Sequence, residues 1–255
     1  MKKETEGYIV IAIGKKYELM ATNFINTLRR HGDNRDVYII TDVSDEKLYG
    51  ECVTDFERNG TLPKICLDKE LPFDHNLFLD VDMLCLSDTQ QVWDVLRSSE
   101  QSILQMGVLK DKQICDGVMI GNASKFGWTE DPFRVQGGFI YLRKDGLNLE
   151  FFEWMRNEAF INYDKYASSK RYYKNSRTDQ TLYSLAHCKF GIKPLEIFDH
   201  PFMTFLDSCH NDNAPTNKVT YRNRQKTFDR NVSFCHCMTK PGSRLYDKLY
   251  TQSMS

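Results

Sequence analysis

Two aspartates, Asp80 and Asp82, interrupt the otherwise mostly apolar run NLFLDVDMLCL at residues 76–86. A buried strand should not hold unpaired carboxylates, because moving a charge out of water is very costly. Alternate residues of a strand share one face, so these carboxylates are expected to converge and to repel each other unless a cation lies between them. Mg²⁺ and Mn²⁺ prefer oxygen ligands and often share them with substrate phosphates. The spacing therefore predicts a metal–diphosphate site where a strand ends.

The segments that must position this site alternate between strand and helix in the first hundred residues. Apolar runs predict strands at 8–13 and 37–40, and apolar residues at helical spacing predict a helix from Tyr17 up to Gly32. Pro63, suited to a first helical turn, predicts another helix over 63–71. Such alternation indicates a mostly parallel sheet with helices on both faces, in which ligands bind at the carboxyl ends of the strands. The residues at those predicted ends are Gly14, Asp42, Asp80 and Asp82.

The second half of the chain is less regular. Residues 107–135 are polar, with little periodicity, and are predicted to form a long functional loop. A strand is predicted at 137–143 and a helix rich in bulky residues at 147–160, and Thr178 is predicted to cap a further helix.

Composition excludes several classes of protein. The 255 residues carry a net charge of −1, which gives no support to nucleic-acid binding through bulk charge. No apolar run approaches the roughly 20 residues of a membrane span, and no signal peptide is expected. The eight cysteines form no CxxC pair. Several, such as Cys66 and Cys85, lie in apolar stretches and are expected to be free thiols, which favours a reducing, cytoplasmic location.

The triplet at 80–82 resembles the DxD signature of GT-A glycosyltransferases, and in particular of the nucleotide-diphospho-sugar transferase group that includes glycogenin and bacterial lipopolysaccharide galactosyltransferases. Five other stretches resemble motifs of that group in the same order: IAIGKKYELMATNFINTLRRHG, LPKICL, VQGGFIYL, TDQTLYSL and CHCMTKPGSRLY. The resemblance covers most of the chain, from about Tyr8 to Tyr246.

The resemblance implies one α/β domain of the GT-A, Rossmann-like fold over residues 1–255, with a mostly parallel mixed sheet and helices on both faces. It places a nucleotide-binding half at about 1–106 and an acceptor-binding half at about 107–255. The implied activity is metal-dependent transfer of a sugar from a nucleoside-diphosphate sugar, with a UDP-sugar favoured, to a hydroxyl of a glycan or other glycoconjugate acceptor. Mn²⁺ or Mg²⁺ is the implied cofactor.

The resemblance also implies roles for individual residues. It assigns the metal to Asp80, Asp82 and His236. It assigns substrate binding to Ala12, Ile13, Gly14, Tyr17, Asp42, Lys64, Asp80, Val81, Gln136, Gly137, Gly138 and Lys240. The implied catalytic residues are Asp179 and Gln180. If the anomeric centre inverts, Asp179 would take the proton of the acceptor hydroxyl, and if it is retained, Asp179 or Gln180 would lie behind the sugar.

Two alternatives stay open at this point. A DxD triplet after an apolar strand also occurs in phosphatases of the haloacid dehalogenase type, in which Asp80 would be the nucleophile. Those enzymes usually have a small polar or β-branched residue where this chain has Leu84. The second alternative is a non-catalytic protein that binds a nucleotide sugar, which only a measurement of turnover distinguishes from an enzyme.

Overall fold

The computed structural model describes residues 4–41, 62–108, 114–115, 118–120, 123–128, 134–169, 178–196, 202–205, 218–221, 224–227 and 233–237, with single positions at 200, 247, 250, 251 and 254. Within these ranges, the helices all lack the length and the apolar stretch that crossing a membrane requires.

The described strands, in chain order, are β1 (Glu6–Ala12), β2 (Asp36–Thr41), β3 (His75–Leu79), β4 (Met83–Cys85), β5 (Ile103–Val108), β6 (Ile114–Cys115), β7 (Val118–Ile120), β8 (Arg134–Arg143), β9 (Ala167–Ser169), β10 (Leu195–Glu196), β11 (Met203–Phe205), β12 (Lys218–Tyr221), β13 (Arg224–Thr227) and β14 (Phe234–His236). The helices are α1 (Lys15–Arg30), α2 (Gln90–Ser98), α3 (Leu149–Trp154), α4 (Tyr163–Tyr166) and α5 (Asp179–Phe190). Two 3₁₀-helices, Leu62–Lys69 and Ala123–Phe126, and a π-helical turn, Met155–Ala159, complete the described elements.

The main sheet has six strands in the order β10-β5-β8-β3-β1-β2. Strands β1 and β2 pair in parallel, as do β10 and β5, whereas β5 and β8 are antiparallel. This mixed sheet with intervening helices confirms the predicted α/β fold class. The predicted loop at 107–135 was wrong in part, because its described portion contains β6, β7 and the 3₁₀-helix Ala123–Phe126. Strand β7 pairs with β6 and with the distant β9. These strands have only two or three residues each, which is too short to show a hydrophobic period in the sequence.

The chain divides into two compact units that alternate along the sequence. The first unit comprises Met1–Thr5, Tyr49–Leu77 and Glu100–Phe198. The second comprises Glu6–Leu48, Phe78–Ser99 and Asp199–Ser255. Each unit therefore joins segments that are distant in sequence.

Each unit has its own aromatic core. In the second unit, Tyr8 makes edge-to-face contacts with Phe24, Trp93 and Phe234, all of which are buried. The Tyr8 hydroxyl donates to Asp33 and accepts from the indole nitrogen of Trp93, so the buried polar atoms of this core are paired. In the first unit, Phe151 and Phe152 of α3 pack against Tyr183 of α5.

The cysteines follow the prediction in part. Cys85 is a buried free thiol, and burial raises its pKa to about 12. The predicted free thiol at Cys66 is wrong, because this residue is disulfide-bonded. An apolar local sequence indicates burial, but it does not reveal which other cysteine meets the side chain in space.

Candidate functional site

Asp80, Asp82 and His236 form a compact cluster in the second unit. The Nε2 atom of His236 lies 3.2 Å from Oδ1 of Asp82 and 3.6 Å from Oδ2 of Asp80. Each residue offers one ligand atom, and these three atoms lie within 4.8 Å of one another. The three side chains are between 15% and 22% exposed. They are therefore held in place but can still be reached from solvent.

The local fold explains how residues 154 positions apart along the chain come together here. Strand β3 ends at Leu79, and the chain turns, with the Met83 amide donating to the Asp80 carbonyl at 2.9 Å. Strand β4 then pairs antiparallel with β14, and this register sets His236 opposite Met83. The amide of Cys237 donates to the carbonyl of Asp82 at 3.1 Å, which fastens the turn to the end of β14.

The two aspartates converge, but not in the predicted way. The sequence predicted alternate residues on one continuous strand, whereas the described strands stop at Leu79 and resume at Met83, and Asp80 and Asp82 lie in the turn between them. A turn frees the backbone from the sheet ladder, so it can direct both carboxylates toward His236. Val81 between them is buried at 8% exposure.

The donor set fits a divalent cation. Two carboxylate oxygens and one imidazole nitrogen suit Mn²⁺, and the oxygens alone suit Mg²⁺. Two neighbouring carboxylates also need positive charge between them, which either a cation or a protonated His236 supplies. If such a cation bound here, these three residues would hold it and would leave coordination positions for phosphate oxygens or water.

The residues predicted to line a nucleotide lie at the end of β1 in this same unit. Ala12 is fully buried, Ile13 and Gly14 are partly exposed, and Tyr17 is 41% exposed. Gly14 has a φ of 90°, which favours glycine, and its carbonyl accepts from the Tyr17 amide at 2.8 Å as α1 begins. Gly14 and Tyr17 are thus accessible at a helix N-terminus, whereas Ala12 is not. Asp42 and Lys240 lie outside the described residues.

A buried ion pair joins two predicted site residues in the first unit. The Nζ atom of Lys64 lies 3.0 Å from Oδ2 of Asp179, and their side chains are 9% and 7% exposed. Asp179 is the first residue of α5, where Thr178 Oγ1 accepts from the Thr181 amide. This interaction confirms Thr178 as the predicted cap. Lys64 was predicted to meet the nucleotide, and the structure places it against Asp179.

Strand β8 passes directly beside Asp179. A Cβ atom on Gly137 would lie 2.5 Å from Oδ2 of Asp179, so only glycine leaves room for this carboxylate. Gln136 is buried, and its carbonyl accepts from the side chain of Gln105 at 3.2 Å. The Nε2 atom of Gln180 is buried and has no hydrogen-bond partner among the described residues. A buried amide without a partner is costly, so Gln180 could donate to a bound substrate.

Sequence reasoning missed the side chains that donate hydrogen bonds to the backbone at Lys64 and Ile65. The Tyr183 hydroxyl donates to the Lys64 carbonyl at 2.7 Å. Arg156 donates to the carbonyl of Ile65 at 2.9 Å and makes a bidentate pair with Asp68 at 2.6 and 3.0 Å. No local pattern signals these contacts, because the partners are about 90 to 120 positions apart.

No protein-family model matches the chain, and no curated protein matches it in sequence. Solved structures do match it. The galactosyltransferase LgtC, in complex with donor and acceptor sugar analogs, has a TM-score of 0.61 at 15% identity, over 98% of this chain and 95% of LgtC. The glycosyltransferase GlyE of Streptococcus pneumoniae has a TM-score of 0.56 at 14% identity, over 98% of this chain and 61% of GlyE. Mouse xyloside xylosyltransferase 1 has a TM-score of 0.52 at 6% identity, over 81% of this chain and 89% of that protein. The chain therefore has the GT-A fold of these glycosyltransferases.

Proposed function

We propose that this protein is a metal-dependent glycosyltransferase that moves a sugar from a nucleoside-diphosphate sugar, with a UDP-sugar favoured, to a hydroxyl of a glycan or glycoconjugate. The observation that carries the proposal is the cluster of Asp80, Asp82 and His236 just beyond the carboxyl end of β3, in a chain with a glycosyltransferase fold. Both units together are proposed to act as one catalytic domain.

The proposed chemistry follows from the charges that develop during sugar transfer. Breaking the bond to the anomeric carbon builds negative charge on the leaving diphosphate and positive charge on the sugar. Asp80, Asp82 and His236 would hold a divalent cation, Mn²⁺ or Mg²⁺, which supplies positive charge to the diphosphate. Lys240 is proposed to add a second positive charge there, and Gly14 and Tyr17 to contact the nucleotide.

Asp179 and Gln180 are proposed to act at the sugar. If the reaction inverts, Asp179 accepts the proton of the acceptor hydroxyl. If it retains, one of the two side chains lies behind the anomeric carbon and stabilises its positive charge. A glutamine-to-glutamate variant of LgtC is described as an active-site mutant, which puts a glutamine in that enzyme's site. The buried, unpaired amide nitrogen of Gln180 supports an analogous role in this chain.

A screen for donor hydrolysis tests the proposal. The protein would be incubated with UDP-, GDP- and TDP-sugars in Mn²⁺, and released sugar and nucleoside diphosphate would be quantified. Release from one donor class, abolished by EDTA and restored by Mn²⁺, is the expected result. Tight binding of a nucleotide sugar without release of sugar, even with candidate acceptors present, would instead indicate a binding protein. Hydrolysis of a simple aryl phosphate at comparable rates would indicate a phosphatase.

A further inference from the structure

Arg156 is a partly buried residue of the first unit. It lies in the π-helical turn Met155–Ala159 that continues α3. Such turns are rare and frequently occur at functional sites. The guanidinium group of Arg156 pairs with both carboxylate oxygens of Asp68, and the side chains of this pair are 11% and 5% exposed.

The same guanidinium group holds the backbone of the 3₁₀-helix Leu62–Lys69. It donates to the carbonyl of Ile65 at 2.9 Å, one residue after Lys64. The Tyr183 hydroxyl donates to the carbonyl of Lys64 itself at 2.7 Å. Arg156 and Tyr183, from different helical segments, therefore donate hydrogen bonds to the consecutive carbonyls of Ile65 and Lys64. These two hydrogen bonds fix the backbone from which the Lys64 side chain extends toward Asp179. The Nζ atom of Lys64 lies 3.0 Å from Oδ2 of Asp179.

The two ion pairs also act on one shared group. Burial raises the pKa of Tyr183 well above its usual value, the charges of Asp68 and Asp179 raise it further, and that of Arg156 lowers it. Tyr183 is fully buried, so its hydroxyl stays protonated and remains a donor. The charges of Asp68, Asp179 and Arg156 thus all act on a single neutral hydroxyl.

Stability alone does not account for this arrangement. A buried ion pair is weak evidence for stability, because well-packed apolar residues of similar volume are often as stable or more so. What apolar residues cannot supply is a planar fork that donates at the same time to Asp68 and to a backbone carbonyl. What distinguishes Arg156 is therefore the geometry of its hydrogen bonds to Asp68 and to the Ile65 carbonyl.

We propose that Arg156 is a positioning residue for sugar transfer, which holds the backbone at Ile65, next to Lys64, so that Lys64 is aligned with Asp179. This inference rests on the proposed function. Among the described residues Arg156 bonds to Asp68 and to the Ile65 carbonyl and not to Asp179, so it acts through Lys64. A displacement of about 1 Å in such a support can lower turnover about 100-fold without any loss of a substrate contact.

The test separates turnover from donor binding. Arg156→Met is expected to lower kcat about 10- to 100-fold, while the affinity for UDP with Mn²⁺, measured by calorimetry, changes less than about twofold. Since Arg156→Met leaves Asp68 buried without its partner, Arg156→Met/Asp68→Asn serves as a second variant that removes the unpaired charge. It should show the same loss of kcat. Arg156→Lys keeps the charge without the fork and should recover only part of the rate.

A matched control and a double-mutant cycle complete the experiment. Arg97→Met removes an arginine whose ion pair with Asp94 is much more exposed, and it should leave kcat unchanged. If Arg156 acts through Lys64, Arg156→Met should lower kcat little further in a Lys64→Met background.

Three outcomes would count against the inference. Unchanged kcat in Arg156→Met/Asp68→Asn, or a loss that multiplies in full with that of Lys64→Met, would overturn the positioning role and leave the proposed function intact. A wild-type protein that releases sugar from no donor would overturn the proposed function and this role together.

Discussion

Lys64 and Asp179 form an ion pair of 3.0 Å across 115 positions of sequence, and both side chains are more than 90% buried. Because both groups are buried, removing the charge of Lys64 alone would leave the Asp179 carboxylate without its ion-pair partner. The pair therefore ties the first turn of α5 to the 3₁₀-helix Leu62–Lys69. It also places a fixed charge pair beside Gly137 of β8.

Gly137→Ala is expected to reduce turnover at least about tenfold, because the new Cβ would lie 2.5 Å from Oδ2 of Asp179 and must displace it. Overpacking of this size costs about 1–3 kcal/mol of unfolding free energy. Gly107→Ala is a matched control, since its Cβ would lie 2.4 Å from Pro194 and not from Asp179. It should lower stability to a similar degree and leave activity per folded molecule unchanged. Equal activity losses in both variants would show that Gly137 matters only for stability.

Asp80→Asn and Asp82→Asn should each lower donor turnover by about 100-fold or more, because each removes a negatively charged ligand from the cluster. Calorimetric titration of Mn²⁺ and UDP should show the same loss in binding. Asp36→Asn changes an exposed aspartate at the start of β2 and serves as the control, with no expected effect. Near-wild-type turnover in both cluster variants would rule out this cluster as the metal site.

Mn²⁺ should be required for strong stabilisation by a nucleoside diphosphate. A ligand at 100 times its dissociation constant stabilises the folded state by about 2.7 kcal/mol, which a thermal melt detects. Without the metal, the diphosphate would face the carboxylates of Asp80 and Asp82 directly, so UDP with EDTA should raise Tm much less. His236→Ala should weaken the Mn²⁺-dependent shift, and higher Mn²⁺ should recover part of it. The same Tm increase with and without metal would argue against a shared metal–diphosphate site.

Folding stability should depend on the protonation of His187. Burial lowers the pKa of His187 to about 4, from an ordinary value of 6.5, although a hydrogen bond with the Ile192 carbonyl opposes the shift. Between these two values the unfolded state binds the proton and the folded state does not. Stability from this group is therefore present above pH 6.5 and is lost as the pH falls toward 4, by up to about 3 kcal/mol.

Urea unfolding at pH 7.5, 6, 5 and 4 measures this dependence. His187→Gln, which cannot titrate, should lose less stability than the wild type over the same range. Parallel loss in the two proteins would assign the acid sensitivity to other groups. Gln105 Oε1 lies 2.8 Å from Nε2 of His187 and should keep a hydrogen-bond partner in the variant.

Several features of this protein follow from local sequence. Apolar runs predicted β1 and β2, helical spacing predicted α1, and Thr178 marked the start of α5, because burial periodicity and capping act over only a few residues. The two carboxylates within an apolar run indicated that the strand must reach a surface here or that a positive charge must meet them, because an unpaired buried carboxylate is very costly.

Tertiary structure decided the rest. The arrival of His236 beside Asp80 and Asp82 was implied only by resemblance, because it depends on the antiparallel register of β14 with β4. Three other contacts join residues about 40 to 115 positions apart. They are the ion pair of Lys64 with Asp179, the close approach of Gly137 to Asp179, and the hydrogen bond from Arg156 to the Ile65 carbonyl. Such contacts depend on how whole helices and strands pack together, and the residues next to a side chain in sequence do not indicate that packing.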